Sequence, residues 1–98
     1  MANLEFRDNK AGFRYEAFEG SELVSQIDYT IDGDVVSFTH TGTPPQHRGR
    51  RYADRLTHWA LDDVRATQRK VVPLCPFTAS FISDHAPAYD DLVAQRAR

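Results

Sequence analysis

One histidine and one cysteine both lie where a predicted strand ends. His40 closes a β-branched run that begins at Val35, and because an imidazole ordinarily titrates near neutral pH, His40 could serve as a general base. Cys75 closes a second such run and precedes a predicted helix, whose N-terminus would lower the pKa of a nearby thiol from its usual value of about 8.5. Each residue also has an ordinary interpretation: His40 as a hydrogen-bonded histidine at a sheet margin, and Cys75 as a small buried hydrophobic residue.

A cluster of basic side chains lies between these two residues, namely His47, Arg48, Arg50, Arg51 and Arg55. The loop that carries the cluster leads directly into a predicted helix. The first N–H groups of that helix are unpaired, and its dipole adds about half a positive charge. Guanidinium groups bind phosphate oxygens in a bidentate manner, so the loop could hold a pyrophosphate. The alternative is a solvated basic loop that caps the helix.

The overall composition limits the possible partners. A formal charge of −2 disfavours general nucleic-acid binding, so the local arginines suggest a small anionic ligand. An RNA-binding domain that uses Arg48 to Arg55 is a third hypothesis, which the same acidic balance disfavours. The single cysteine excludes an internal disulfide and a thiolate metal cage, and neither His47 nor His58 has a partner at metal-ligand spacing. We therefore assign no metal.

The length and hydropathy favour one domain outside the membrane. Ninety-eight residues suffice for a single compact domain, which we assign to residues 1–98. The longest nearly apolar run, Val71 to Phe77, is far shorter than the roughly 20 residues that cross a bilayer. The charged segment Met1 to Lys10 does not resemble a signal peptide. We expect a cytoplasmic protein.

Alternating hydrophobic residues predict an antiparallel meander in the first forty residues. The strands are predicted over Leu4 to Arg7, Ala11 to Phe18, Leu23 to Ile31 and Val35 to His40. In the second strand, Phe13, Tyr15 and Ala17 are expected to share the buried face. Lys10-Ala11-Gly12 and Asp32-Gly33-Asp34 are typical turn sequences.

The second half of the chain is predicted to alternate helices and strands. Apolar residues from Tyr52 to Val64, Trp59 among them, recur at three- and four-residue intervals, which indicates the principal helix. Lys70 to Cys75 is a strand, and Pro73 places it at an edge or where pairing opens. A short helix over Phe77 to Ser83 and a turn of helix over Ala88 to Val93 follow. The fold class is α+β, a mixed α/β sheet.

This chain resembles the GNAT-type N-acetyltransferases, in particular the very small GNAT-like proteins. The resemblance covers about Val35 to Val93, and its most specific part is the run from Val71 to Phe77. The matching motifs are His40-Thr41, Pro44-Pro45, Arg48-Gly49-Arg50, Leu61-Asp62-Asp63 and Val71-Val72-Pro73-Leu74-Cys75-Pro76-Phe77.

The resemblance implies a minimal GNAT-like fold in which the strands ending at His40 and Cys75 splay apart around acetyl-CoA. It implies that cofactor binding involves Arg48, Gly49, Arg50, Arg51, Tyr52, Ala53 and Phe77. It also implies that His40 and Cys75 face each other across the cleft. Either His40 deprotonates an amine that attacks acetyl-CoA directly, or His40 activates Cys75 to carry the acetyl group transiently.

Two positions depart from the family pattern. The family loop has glycine three residues after its first arginine or glutamine, whereas this chain has Arg51 there, followed by Ala53. Since glycine lets the backbone approach phosphates without a Cβ, Arg51 must point its stem away or shift the ligand outward. Many relatives place a tyrosine on the short helix to protonate the departing thiolate, and Phe81 occupies that position here. Tyr89 is a candidate to replace it.

The function that the resemblance implies is N-acetyl transfer from acetyl-CoA to an unidentified amine acceptor, either a small molecule or a protein. The alternative is a non-catalytic module that binds CoA or acyl-CoA, which the residues at positions 51 and 81 favour. No nucleic acid or membrane partner is expected. The oligomeric state is expected to be a monomer or a weak homodimer.

Overall fold

Five strands form one sheet whose spatial order follows the sequence. The computed structural model describes residues 3–94. The strands are β1 (Leu4–Asn9), β2 (Arg14–Glu19), β3 (Glu22–Asp32), β4 (Val35–Gly42) and β5 (Lys70–Pro73). Consecutive strands from β1 to β4 pair antiparallel, whereas β5 pairs parallel to β4. The predicted meander and the mixed α+β class are confirmed.

Two helices follow the meander: α1 (Tyr52–Ala66) and α2 (Pro76–Asp84). Short 3-10 helices occupy Pro45–His47 and Asp90–Leu92. The apolar stripe of α1 packs on the sheet through fully buried side chains such as Leu56, Ala60 and Val64. Pro76 is the first residue of α2, where its missing N–H has no helical partner to lose. No helix in the described part of the chain is both long and apolar enough to span a membrane.

The turn between β1 and β2 differs from the prediction. Phe13 belongs to this turn, with a φ of +55° and a 56 % exposed side chain, so the expectation that Phe13 shares the buried face of β2 was wrong. The side chain of Asn9 explains the difference, because its Oδ1 accepts a hydrogen bond from the Gly12 N–H at 3.0 Å and closes the turn. The strand therefore begins at Arg14, and only Tyr15 and Ala17 are buried as expected.

Trp59 lies at the border of the core rather than within it. Its ring stacks on Phe6 at 5.8 Å between centroids and meets Tyr15 edge-on at 5.9 Å. Both contacts are with protein side chains, and Trp59 stays partly exposed. The packing role predicted for Trp59 is therefore observed, at the margin of the core.

The sheet opens between β4 and β5, as predicted. Their pairing runs from Val35 opposite Lys70 to Phe38 opposite Pro73 and ends with the Cys75 N–H, which donates to the Phe38 carbonyl at 2.8 Å. Pro73 has no N–H, and the Leu74 N–H turns back to the Val72 carbonyl at 3.0 Å. Within residues 3–94, the last four residues of β4 therefore have no strand on the β5 side.

A bulge in β4 decides which way its last residues point. Tyr29 pairs with Phe38 and Asp28 pairs with His40, so Thr39 is the extra residue. Directly opposed residues in an antiparallel pair lie on the same face. Thr41, opposite the buried Ile27, therefore faces the core side, whereas His40, opposite Asp28, faces the other side.

Candidate active site

The opening between β4 and β5 leads into a cleft of 990 Å³. Its walls come from β3, the end of β4, the loop before α1, the first turn of α1 and the start of α2. Most of the residues implicated by the sequence line it, namely His40, Arg48, Gly49, Arg51, Tyr52, Ala53 and Phe77. Arg50 lies instead in a second cavity of 560 Å³, which Arg51 also borders. Cys75 is not among the residues that line the cleft, and 5 % of its surface is exposed.

The loop before α1 has the left-handed backbone that a phosphate-binding turn needs. Gly49 has a φ of +83° and Arg51 a φ of +62°. A Cβ built on Gly49 would meet nothing within 4 Å, so the loop leaves open space there. The Arg48 Nε donates to the Thr43 carbonyl at 3.1 Å, which fixes the start of the loop.

Arg51 takes the backbone conformation that glycine adopts readily, and the residue borders both the cleft and the second cavity. The guanidinium lies 3.5 Å from the Asp54 carboxylate and the side chain is 84 % exposed. The Cβ of Arg51 lies beside the backbone N–H groups that begin α1.

We expect Arg51→Gly to bind CoA about fivefold more tightly than Arg51→Ala, a difference of about 1 kcal/mol, because glycine removes the Cβ that stands beside the ligand. Both variants lose the same guanidinium, so their difference isolates the Cβ. Calorimetric titration with CoA measures it. Equal affinities of the two variants would show that the Cβ at position 51 does not limit the approach of the ligand.

The buried side chain of His47 connects the loop before α1 to the β2–β3 hairpin. The sequence had indicated His47 only as one member of the basic cluster. The His47 Nε2 lies 2.7 Å from the Glu22 carboxylate, and the ring is 5.9 Å from that of Tyr52. The buried Tyr52 donates its hydroxyl to Glu19 at 3.4 Å, so only its backbone can meet a ligand. The His47 Nδ1 is buried and has no partner in the described residues.

Cys75 is the residue that precedes the first turn of α2, and its sulfur lies 3.4 Å from the Thr41 hydroxyl. Burial by itself raises the pKa of the thiol. Nearby polar groups favour the thiolate and together hold the pKa of Cys75 below its ordinary value. They are the Thr41 hydroxyl, the backbone N–H groups of Phe77 and Thr78, and the buried Thr78 hydroxyl. The polar groups around the sulfur therefore stabilise its ionised form.

Replacing Thr41 by valine is expected to raise the pKa of Cys75, because the variant loses a hydrogen bond to the thiolate. Since only the thiolate is alkylated, the rate of reaction with iodoacetamide should reach its plateau at a higher pH than in the native protein. Thr39→Val is the matched control, because Thr39 is exposed and bonds the Asp28 carbonyl instead. A pH profile unchanged in Thr41→Val would contradict this assignment.

His40 lies at the mouth of the cleft, on the opposite face of β4 from Thr41. Its Nε2 is 3.6 Å from the position that a Cβ on Gly42 would take, so the imidazole lies over that glycine. Within residues 3–94, no hydrogen bond joins His40 to Cys75. The structure thus places both residues at the opening without bringing the imidazole into contact with the sulfur.

The comparisons with known proteins agree with this geometry. A family model described as GCN5-related N-acetyl-transferase matches residues 14–92. The chain belongs to the GCN5-related N-acetyltransferase family. No curated protein matches the sequence.

A solved structure also shares the fold of this GCN5-related chain. It is an NMR solution structure of a Staphylococcus aureus protein described as GCN5-like, which is 19 % identical in sequence with a TM-score of 0.68. The alignment covers 100 % of this chain and 95 % of that chain. The likeness confirms the GNAT-like fold over the whole domain.

In this GCN5-related chain, Phe81 of α2 stands at the position where many larger relatives place a tyrosine, so the side chain at that position has no hydroxyl. Phe81 is buried, and its ring stacks on His85 at 4.0 Å between centroids. The Tyr89 hydroxyl bonds His58 and Asp62 of α1 and borders neither cavity, while burial and the Asp62 carboxylate raise its pKa. Tyr89 is thus engaged away from the cleft. The described residues contain no group of three or more side chains suited to a metal ion.

Proposed function

We propose that this protein transfers the acetyl group of acetyl-CoA to an amine. The observation that carries the proposal is the unpaired end of β4, which leaves a gap that leads from the arginine-rich loop toward Cys75 at the start of α2. Family membership supports the reaction class. The pyrophosphate of acetyl-CoA would bind at the loop and its thioester would enter the gap.

The loop fits a pyrophosphate on three grounds. Its glycine leaves open space at a left-handed turn, and the unpaired N–H groups of α1 begin next to it. Arg48 and Arg51, which line the cleft, supply cationic side chains beside the turn. His47 lines the cleft, and its buried Nδ1 has no hydrogen-bond partner among the described residues, as expected if a polar ligand supplies that partner. Phe77, 37 % exposed, offers an apolar surface to the pantetheine arm.

Transfer through Cys75 is the route that we propose first. Because the surroundings of the sulfur already favour the thiolate, the nucleophile needs no contact with His40. The Cys75 sulfur attacks the acetyl carbonyl, a new C–S bond forms, and the bond between the acetyl group and CoA breaks. The CoA thiolate leaves and takes a proton from water, since Phe81 has none to give.

The acceptor amine then attacks the acetyl-cysteine. A C–N bond forms, the C–S bond to Cys75 breaks, and the thiolate of the enzyme is restored. His40, exposed at the mouth of the cleft, takes the proton that the amine loses, directly or through one water. Direct attack of the amine on acetyl-CoA, with His40 as base, is the competing route.

A non-catalytic CoA-binding or acyl-CoA-binding module is the second candidate. Two observations favour it: α2 offers no acid in place of Phe81, and only 5 % of Cys75 is exposed. Such a module would bind CoA through the same loop and the same gap, without turnover.

Two measurements test these candidates in order. Calorimetry should detect CoA binding, and its absence at about 1 mM ligand would exclude both the enzyme and the module. Release of free CoA thiol from acetyl-CoA, measured against a panel of small amines and lysine peptides, should then exceed the rate without acceptor. Binding without any acceptor-dependent release across the panel would favour the module.

A further inference from the structure

β1 is an open edge of the sheet. Its inner side pairs with β2 over all six residues without a bulge, and no described strand lies on its outer side. The opposite edge is partly covered, because Val93 forms a bridge to Val71 of β5 and the Ala94 N–H donates to the Val71 carbonyl at 2.9 Å. Proteins usually protect an exposed edge with a proline, a bulge or charged side chains; β1 has neither a proline nor a bulge, and its charged side chains are of both signs.

Apolar side chains border this open edge. Leu4 and Phe6 of β1, together with Trp59 of α1, pack against the core yet remain only partly buried. Phe6 and Trp59 also form one end of the second cavity. A further strand laid along β1 would cover these three side chains.

The charges of β1 are self-complementary in one arrangement. Glu5 and Arg7 flank Phe6 and point to the other face of the sheet, where they bond each other at 3.2 Å and are largely exposed. If two β1 strands pair antiparallel about Phe6, Glu5 lies opposite the partner's Arg7, and Arg7 opposite the partner's Glu5. Parallel in-register pairing would instead oppose like charges. Opposite charges at directly facing positions stabilise a strand pair.

We propose that two copies of this chain associate through their β1 strands, antiparallel and centred on Phe6, so that their two sheets become one continuous sheet. The main-chain groups of the open edge then pair with each other, and the half-buried rings of Phe6 and Trp59 are covered. The opening between β4 and β5 lies at the far side of each sheet and stays accessible. The association does not depend on the proposed catalytic activity.

Charge reversal gives a test that distinguishes this register from any other interface. Glu5→Arg and Arg7→Glu each place two pairs of like charges across the strands, and each should weaken dimerisation at least about tenfold. Both positions are exposed, so both variants should keep the native fold, which circular dichroism verifies. An equimolar mixture of the two variants restores both attractive pairs and should form a heterodimer.

Sedimentation velocity measures the four samples: native protein, each variant, and the mixture. A native dimer, two monomeric variants and a dimeric mixture are the expected results. A native protein that stays monomeric up to about 1 mM would overturn the proposal. Variants that dimerise as strongly as the native protein, or a mixture that stays monomeric, would also overturn it.

Discussion

Cys75→Ser is expected to lower acetyl transfer at least about 100-fold, as loss of a catalytic nucleophile does, without loss of the fold. A serine hydroxyl does not ionise at neutral pH, so the thiolate that attacks the acetyl group is lost. Serine is also among the preferred residues before the first turn of a helix, and its oxygen can accept from the N–H groups that begin α2. The measurements are acceptor-dependent thiol release and the free energy of unfolding in urea.

Cys75→Ala separates the chemical effect from the structural one. It should lose activity as completely as the serine variant but be less stable than it by about 1 kcal/mol, because alanine cannot accept a hydrogen bond at the start of the helix. If Cys75→Ser kept its turnover within about fivefold of native, about 1 kcal/mol of barrier, the thiolate would not carry the acetyl group. Direct transfer with His40 as base would then be the mechanism.

Gly49→Val is expected to weaken CoA binding at least tenfold, about 1.4 kcal/mol. At a φ of +83° a β-branched residue is strongly disfavoured, so the loop would have to leave the left-handed turn that presents its N–H groups. A Cβ at this position meets no protein atom within 4 Å, so no clash within the protein contributes, but the valine side chain would also occupy the open space that we assign to the pyrophosphate. Calorimetric titration with CoA measures the change.

Gly33→Val is the matched control. Gly33 has a φ of +63°, free space around its Cβ position, and a place in the β3–β4 turn away from the cleft. It should cost about 1–2 kcal/mol of stability through the same backbone strain, and leave the affinity of the folded protein for CoA unchanged. Equal losses of CoA affinity in both variants would mean that the Gly49 turn has no direct role in binding.

The sequence pattern was sufficient to predict the order and type of the main elements. Strict alternation along β3 and the Asp32-Gly33-Asp34 turn are local signals, and so is the three-and-four spacing of α1. Pro73 indicated a strand at an edge or at a point where pairing opens, because a missing N–H is a property of one residue, and the resemblance to the GNAT-type proteins implied the opening itself. Residue-level features of this kind need no knowledge of distant contacts.

Features that depend on contacts between distant segments could not be predicted. The bulge at Thr39 determines that Thr41 faces the core side and His40 the other side, and nothing local in the strand marks it. The pairing of His47 with Glu22 joins residues 25 positions apart. The bond from Tyr89 to His58 likewise spans 31 positions, and it holds the tyrosine hydroxyl away from the cleft.

The most direct test of transfer through Cys75 is intact-mass analysis of the native protein mixed with acetyl-CoA in the absence of any amine. The account predicts one acetyl group per chain, mapped by peptide analysis to Cys75, absent in Cys75→Ser, and lost when a competent amine is added. A native protein that turns over acetyl-CoA with an amine, yet never carries an acetyl group on Cys75 even in rapidly quenched samples, would contradict it.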